Sequence, residues 1–247
     1  MKTIYRLFAG SNTHNAVAIM FLAVLLWLPA FFKEDIISQC LPVEPMPFFK
    51  WLSYLTVGNS NISVLLAFIL VVSGAVLINY FNTRYILVNR RSFLPSYFFM
   101  LTVSLFPDLQ SLNPLLPSML FLILAVYLLF STYKAEEDSL RFFEIGMLLG
   151  TGSLFFAPLL WFVIFIWIAT CIMRPFRWRE WIYPVAGIIV PYILLWTYYY
   201  VFSDDGGKLF TLLADNLIPV YELPETGRLK LVKYIYILIL VIISSIY

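Results

Sequence analysis

Eight stretches of this chain, residues 16–32, 62–81, 93–106, 115–130, 142–156, 159–173, 182–202 and 231–247, are dominated by apolar residues and hold at most one charged side chain each. A soluble fold must cover itself with Lys, Arg, Asp and Glu, which make up only 12% of this chain, against about 25% in an ordinary soluble domain. Hydrophobic residues reach 62%. The charges fall in short segments between the apolar runs, so the runs must face lipid or one another.

Crossing a hydrocarbon core takes about 20 helical residues. Shorter runs such as 93–106 and 142–156 can still cross where flanking Tyr and Trp sit at the interface and the bilayer thins. A membrane barrel needs apolar and polar residues in alternation, whereas residues 65–72 and 159–168 are apolar on every face. Helices satisfy their own backbone in lipid. The expectation is an all-α, polytopic helical membrane protein with about seven or eight transmembrane helices in a single transmembrane domain, residues 1–247. The first run follows fifteen mixed residues and has no small-residue cleavage site after it, so it is read as a retained signal anchor. The last run reaches Tyr247 without closing charges, and the chain is expected to continue.

Orientation follows from the basic residues. With the N-terminus in the cytoplasm, the inner segments hold Lys2, Arg6, Arg84, Arg90, Arg91, Lys134, Arg141, Arg174, Arg177 and Arg179, and the outer ones Lys33, Lys50, Lys208, Arg228, Lys230 and Lys233. That bias is the one cytoplasmic retention of Lys and Arg produces. The acids lean the other way, with Glu34, Asp35, Glu44, Asp108, Asp204, Asp205, Asp215, Glu222 and Glu225 outside. The net charge of +2 is therefore a sum of opposed faces and gives no reason to expect nucleic acid as a partner.

Two outer loops, 33–61 and 203–230, are long enough to form structure. The first carries Pro42, Pro45 and Pro47 and then FFKWLSYLTV at 48–57, a composition suited to a short interfacial helix. The second opens on the DDGG turn at 204–207 and continues into the apolar stretch 209–217 around Asp215, a second such helix. Aromatic residues make up 19% of the chain and gather at the ends of runs, as an interfacial belt does. Cys40 falls in an outer loop and Cys171 in a span, so no disulfide is expected between them.

A P-loop, a spaced set of His and Cys metal ligands, and a histidine-based triad each need residue types at set spacing that this chain lacks; its single histidine is His14, beside Asn12, Thr13 and Asn15. No resident cofactor or metal is therefore expected. The candidates for chemistry are acids at the outer boundary, Glu34 and Asp35 after the first run and Asp108 after the third, because a carboxylate there can act as a general base or bind a cation. The plainer role for all three is as solvated helix caps. Arg174, Arg177, Trp178, Arg179 and Trp181 in RPFRWREW suit anchoring to anionic headgroups or docking of a cytoplasmic partner. Gly146 and Gly150 have the small-xxx-small spacing of close helix packing. Glu144, three residues after Arg141, either belongs to the inner loop or, if it lies deeper, needs a partner.

The placement of Glu34, Asp35 and Asp108 resembles that in multi-spanning glycosyltransferases that use polyprenyl-phosphate-linked sugars. The succession NPLLPSMLFLILAVYLLF, KAEEDSLR, GMLLGTGSLFF and RPFRWREW is similar to their rhythm. That resemblance implies those acids as catalytic residues, with a divalent metal or the lipid-linked sugar bound on the outer face. The chain departs from the pattern in having no large outer domain and few outer Arg or Lys residues. More broadly, NRRSFLPSYFF at 89–99, the Phe106-Pro107-Asp108 corner and RPFRWREW resemble an uncharacterised family of multi-spanning bacterial inner-membrane proteins, which implies a location and no activity.

Three readings stand at this point: a scaffold or subunit of an envelope or secretion complex, with the lipid bilayer and other membrane proteins as partners; the lipid-linked sugar transferase; and a small transporter. The transporter comes last, since apart from Glu144 the runs are almost free of ionisable residues. The sequence leaves open whether the chain is an enzyme.

Overall fold

The computed structural model describes residues 13–32, 44–56, 59–85, 93–106, 109–133, 139–173, 177–202 and 207–217. Among these residues all regular structure is helical. In chain order the helices are α1 (Thr13–Phe31), α2 (Pro47–Tyr54), α3 (Ser60–Tyr85), α4 (Leu94–Ser104), α5 (Leu115–Thr132), α6 (Leu140–Ser153), a 3-10 turn (Ala157–Trp161), α7 (Phe162–Met173), α8 (Trp178–Phe202) and α9 (Lys208–Leu217). Three of them, α3, α5 and α8, are long and apolar enough to cross a membrane. The 26 residues of α3 rise about 39 Å, more than the roughly 30 Å of a hydrocarbon core. Shorter apolar helices cover Leu94–Ser104 and Ala157–Met173.

Local chemistry explains several boundaries. Proline opens α2, α4 and the 3-10 turn, where its missing N–H would have no helical partner in any case. Within the basic, aromatic stretch 174–181 singled out for anchoring, α8 begins at Trp178. Glu180 then falls in the first turn of α8, where a carboxylate complements the helix dipole.

Two apolar clusters fill the interior. The first joins α1, α3, α4 and the start of α5 through Trp27, Val71, Met100 and Leu116; the second joins α5, α6 and α7 through Leu129, Phe142, Leu149 and Ile166. Polar ties register the helices. Trp27 Nε1 donates to Ser104 Oγ at 3.1 Å, Ser96 Oγ donates to the Ala75 carbonyl at 2.9 Å, and the Leu112 N–H donates to Ser63 Oγ at 2.9 Å. At the other end of the bundle, Arg141 Nη1 donates to Ser131 Oγ at 2.8 Å, tying the start of α6 to the end of α5. Phe81 packs edge-on against Tyr127 and Phe130 in the same region.

The tightest helix pair is α6 with α8. Gly146 lies against the Pro184 backbone, and Gly150 has Pro191 Cγ and the Ile188 backbone within 2.7 to 2.9 Å of where a Cβ would stand. The two backbone contacts join residues 38 positions apart (184 less 146, 188 less 150), so the two helices run parallel. Gly187 completes the seam from the other side by meeting Phe143 and Met147 of α6. Between them α7 returns the chain, held by Trp167 stacked on Trp181 at 5.5 Å.

Candidate functional site

The loop helices α2 and α9 come together at one end of the bundle. The Phe48 N–H donates to the Leu154 carbonyl at 3.2 Å, which seats α2 on the end of α6. Asn216 Nδ2 of α9 donates to the Glu44 carbonyl at 2.9 Å, just before α2. Their apolar sides share a core with Met46, Leu154, Ala157, Leu195 and Leu209, all buried. Phe155 continues the contact: Phe48 meets it edge-on at 5.5 Å, and Phe121 of α5 stacks on it at 5.7 Å. Helices α2 and α9 thus form a single cap. Trp51 and Tyr54 of α2, Leu55 just after it and Phe210 of α9 are exposed, Trp51 while packing edge-on against Tyr198 of α8 at 5.9 Å.

Beside the cap lies a groove of about 500 Å3. Its long wall is α8, through Ile188, Ile189, Tyr192, Ile193 and Trp196. Leu209, Phe210 and Leu213 of α9 close it at the cap, and Leu160 of the 3-10 turn forms the opposite edge. The volume falls within the roughly 300–1,000 Å3 of ligand pockets. Its walls offer almost nothing but hydrocarbon. The one hydroxyl among them, on Tyr192, lies 2.8 Å from Ser153 Oγ. Since Ser153 gives its own hydrogen to the Gly150 carbonyl at 2.7 Å, Tyr192 is the donor of that pair.

Of the residues singled out in the sequence, Glu34, Asp35, Asp108 and Arg174 lie outside the described residues, as does Cys40. Arg177, Trp178 and Arg179 are exposed at the start of α8, at the end of the bundle opposite the cap, with the Arg179 guanidinium 5.7 Å from the Trp178 ring centre. Trp181 is half-buried and accepts at its carbonyl from Trp167 Nε1 at 3.3 Å. Gly146 and Gly150 are buried in the α6–α8 seam. Glu144 is exposed on α6, and Cys171 is exposed on α7. Among the described residues no three of His, Cys, Asp and Glu gather as a metal site would require.

Two features escaped the sequence reading. Glu180 is 0% exposed, the one carboxylate among the fully buried side chains of the described residues; it went unnoticed because it follows Arg174, Arg177 and Arg179 in a stretch read as a basic anchor. Its place at N3 of a helix, flanked by Trp178 and Trp181, was the available signal. The groove was also missed, since Ile189, Ile193 and Trp196 read simply as apolar residues of a span. No protein-family model, curated protein or solved structure matches the chain.

Proposed function

We propose that this is a multi-pass protein of the bacterial inner membrane that serves cell-envelope biogenesis as a scaffold or subunit of an envelope or secretion complex. The observation that carries the reading is the cap. Helices α2 and α9, from opposite ends of the chain, meet in one platform on the end of a helical bundle, with the Asn216–Glu44 bond spanning 172 residues of sequence. A platform with exposed Trp51, Tyr54 and Leu55 is what a partner-binding subunit presents. In this reading α1, α3, α4, α5, α6, α7 and α8 cross the bilayer, residues 231–247 cross once more, the N-terminus is cytoplasmic and the cap is external.

A second reading is favoured by a different observation. The Trp27–Ser104 bond sets the ends of α1 and α4 side by side, and these helices lead directly into the segments that carry Glu34, Asp35 and Asp108. With an apolar groove at the same end of the bundle, this supports a transferase acting on a polyprenyl-phosphate-linked sugar.

One experiment separates the two. Asp35→Asn and Asp108→Asn are made singly in the native host and compared with a deletion for envelope glycans, growth and protein level. The scaffold reading expects the deletion to disturb the envelope while both variants behave as the parent. Loss of a glycan in either variant, with the protein still present in the membrane, makes the transferase the better account.

A further inference from the structure

We propose that Arg84, Tyr80 and Tyr127, at the end of the bundle opposite the cap, form a site for the phosphate of an anionic phospholipid from the leaflet at that end. The inference rests on the membrane placement given above and on no particular activity.

The site starts from an aromatic cluster that joins the last turns of α3 and α5. Tyr127 packs against Tyr80, Phe81 and Tyr85, with ring centres 5.6 to 5.8 Å apart. The Tyr80 and Tyr127 hydroxyls are hydrogen-bonded to each other. Each phenol carries one hydrogen, and the shared bond uses only one of the two, so the pair keeps an O–H for an acceptor from outside. Tyr80 is 56% exposed, and such an acceptor can reach it.

Arg84 supplies the charge. It lies one turn beyond Tyr80 on the same face of α3, exposed and within electrostatic reach of Tyr127. Among the described residues no carboxylate or carbonyl takes up its N–H donors. The three side chains therefore offer donors and positive charge together. A phosphate matches both, since its oxygens accept in pairs from a guanidinium and singly from a hydroxyl.

Depth decides between a lipid and a soluble partner. The 26 residues of α3 rise about 39 Å, about 9 Å more than the hydrocarbon core. Whether that excess is shared between the two ends or falls wholly at this one, residues 83–85 clear the hydrocarbon. Arg84 then stands at the level of the headgroups, where the phosphate always at hand is that of a phospholipid. With the cap external this is the cytoplasmic leaflet, whose surface is negative.

The test follows thermal unfolding of the full chain, purified free of lipid in detergent, with phosphatidylglycerol, phosphatidylcholine or inorganic phosphate added. Phosphatidylglycerol should raise the Tm by several degrees, as a ligand of the folded state does. Phosphatidylcholine, without net charge, should raise it far less, and inorganic phosphate not at all. Arg84→Gln is expected to unfold at the parent's temperature without lipid and to lose the response to phosphatidylglycerol. Tyr80→Phe should weaken that response several-fold in affinity, while Lys50→Gln, the same change of charge at the cap, keeps it. A response in Arg84→Gln equal to the parent's overturns the proposal, as does an equal response to phosphatidylcholine. A lowered Tm of Arg84→Gln without lipid would show the guanidinium serving an internal partner, and overturns it too. An equal shift with inorganic phosphate would assign the site to a soluble phosphate compound instead of a lipid. Release of the protein from membranes by alkaline carbonate would overturn the membrane placement itself, a failure distinct from a retained protein that ignores phosphatidylglycerol.

Discussion

Gly146 of α6 lies so close beneath the Pro184 carbonyl of α8 that a Cβ would collide with the backbone of the facing helix. Backbone cannot swing aside as a side chain can. Gly146→Ala, and likewise Gly187→Ala against Phe143 and Met147, must push the two helices apart, at the roughly 1–3 kcal/mol of an overpacked core. Gly74→Ala is the contrast, since its nearest neighbours are the Met119 methyl at 3.0 Å and the Phe99 ring at 3.3 Å. Met119 can turn away, and replacing a helix-interior glycine by alanine favours the helix by up to about 1 kcal/mol. Thermal unfolding of the purified protein in detergent should show a lowered Tm for the first two variants and an unchanged or raised one for the third.

The buried indole of Trp27 depends on Ser104. Ser104→Ala leaves the indole N–H without its acceptor, a loss of about 1–3 kcal/mol. Trp27→Phe removes donor and bulk together. In the double variant no N–H is stranded, so its cost should fall short of the sum of the two single losses. A double-mutant cycle on unfolding free energy measures the coupling; strict additivity would mean that the bond contributes nothing.

Glu180 and Glu144 sit near the N-terminal ends of α8 and α6 with opposite surroundings. Glu180 is enclosed, and Glu180→Ala leaves a cavity in a packed site. Glu144→Ala touches an exposed position and should stay within about 0.5 kcal/mol. Steady-state protein level in the membrane is the readout, with the first variant depleted and the second equal to the parent.

Membrane orientation is open to a direct check. A reporter active only in the cytoplasm should give signal when fused after Arg91 or Arg179 and none after Gly58 or Gly206. Signal after either glycine would reverse the assignment that the distribution of Lys and Arg supports.

The helical class was legible because apolar character on every face, as in residues 65–72 and 159–168, suits a helix in lipid and no alternating strand. The loop helices were legible for a related reason. Pro47 followed by aromatic residues, and a glycine-rich turn before residue 209, each mark a start, and the structure has helices at Pro47–Tyr54 and Lys208–Leu217. What the sequence did not reveal lies between elements. Gly146 and Gly150 were noticed by their spacing, but nothing local named Pro184, Ile188 and Pro191 as the surface they meet. Glu180 reads as one charge among several, and only the packing of α8 encloses it. The groove is the clearest case, because hydrophobicity is identical for an isoleucine lining a concavity and one on a plain lipid face.

The parallel seam of α6 and α8 also sets an order of events during synthesis. When Gly146 leaves the ribosome its counterpart Pro184 is still 38 residues behind it in the emerging chain. At roughly 5–20 residues per second that is a wait of about two to eight seconds. Through it, under the proposed membrane placement, α6, only 14 residues long and bearing Arg141 and Glu144, has to be kept beside the insertion machinery or against α5 until α7 has turned the chain and α8 arrives. A substitution at Gly187 should therefore register first as protein degraded during insertion, before any mature molecule exists whose activity could be assayed.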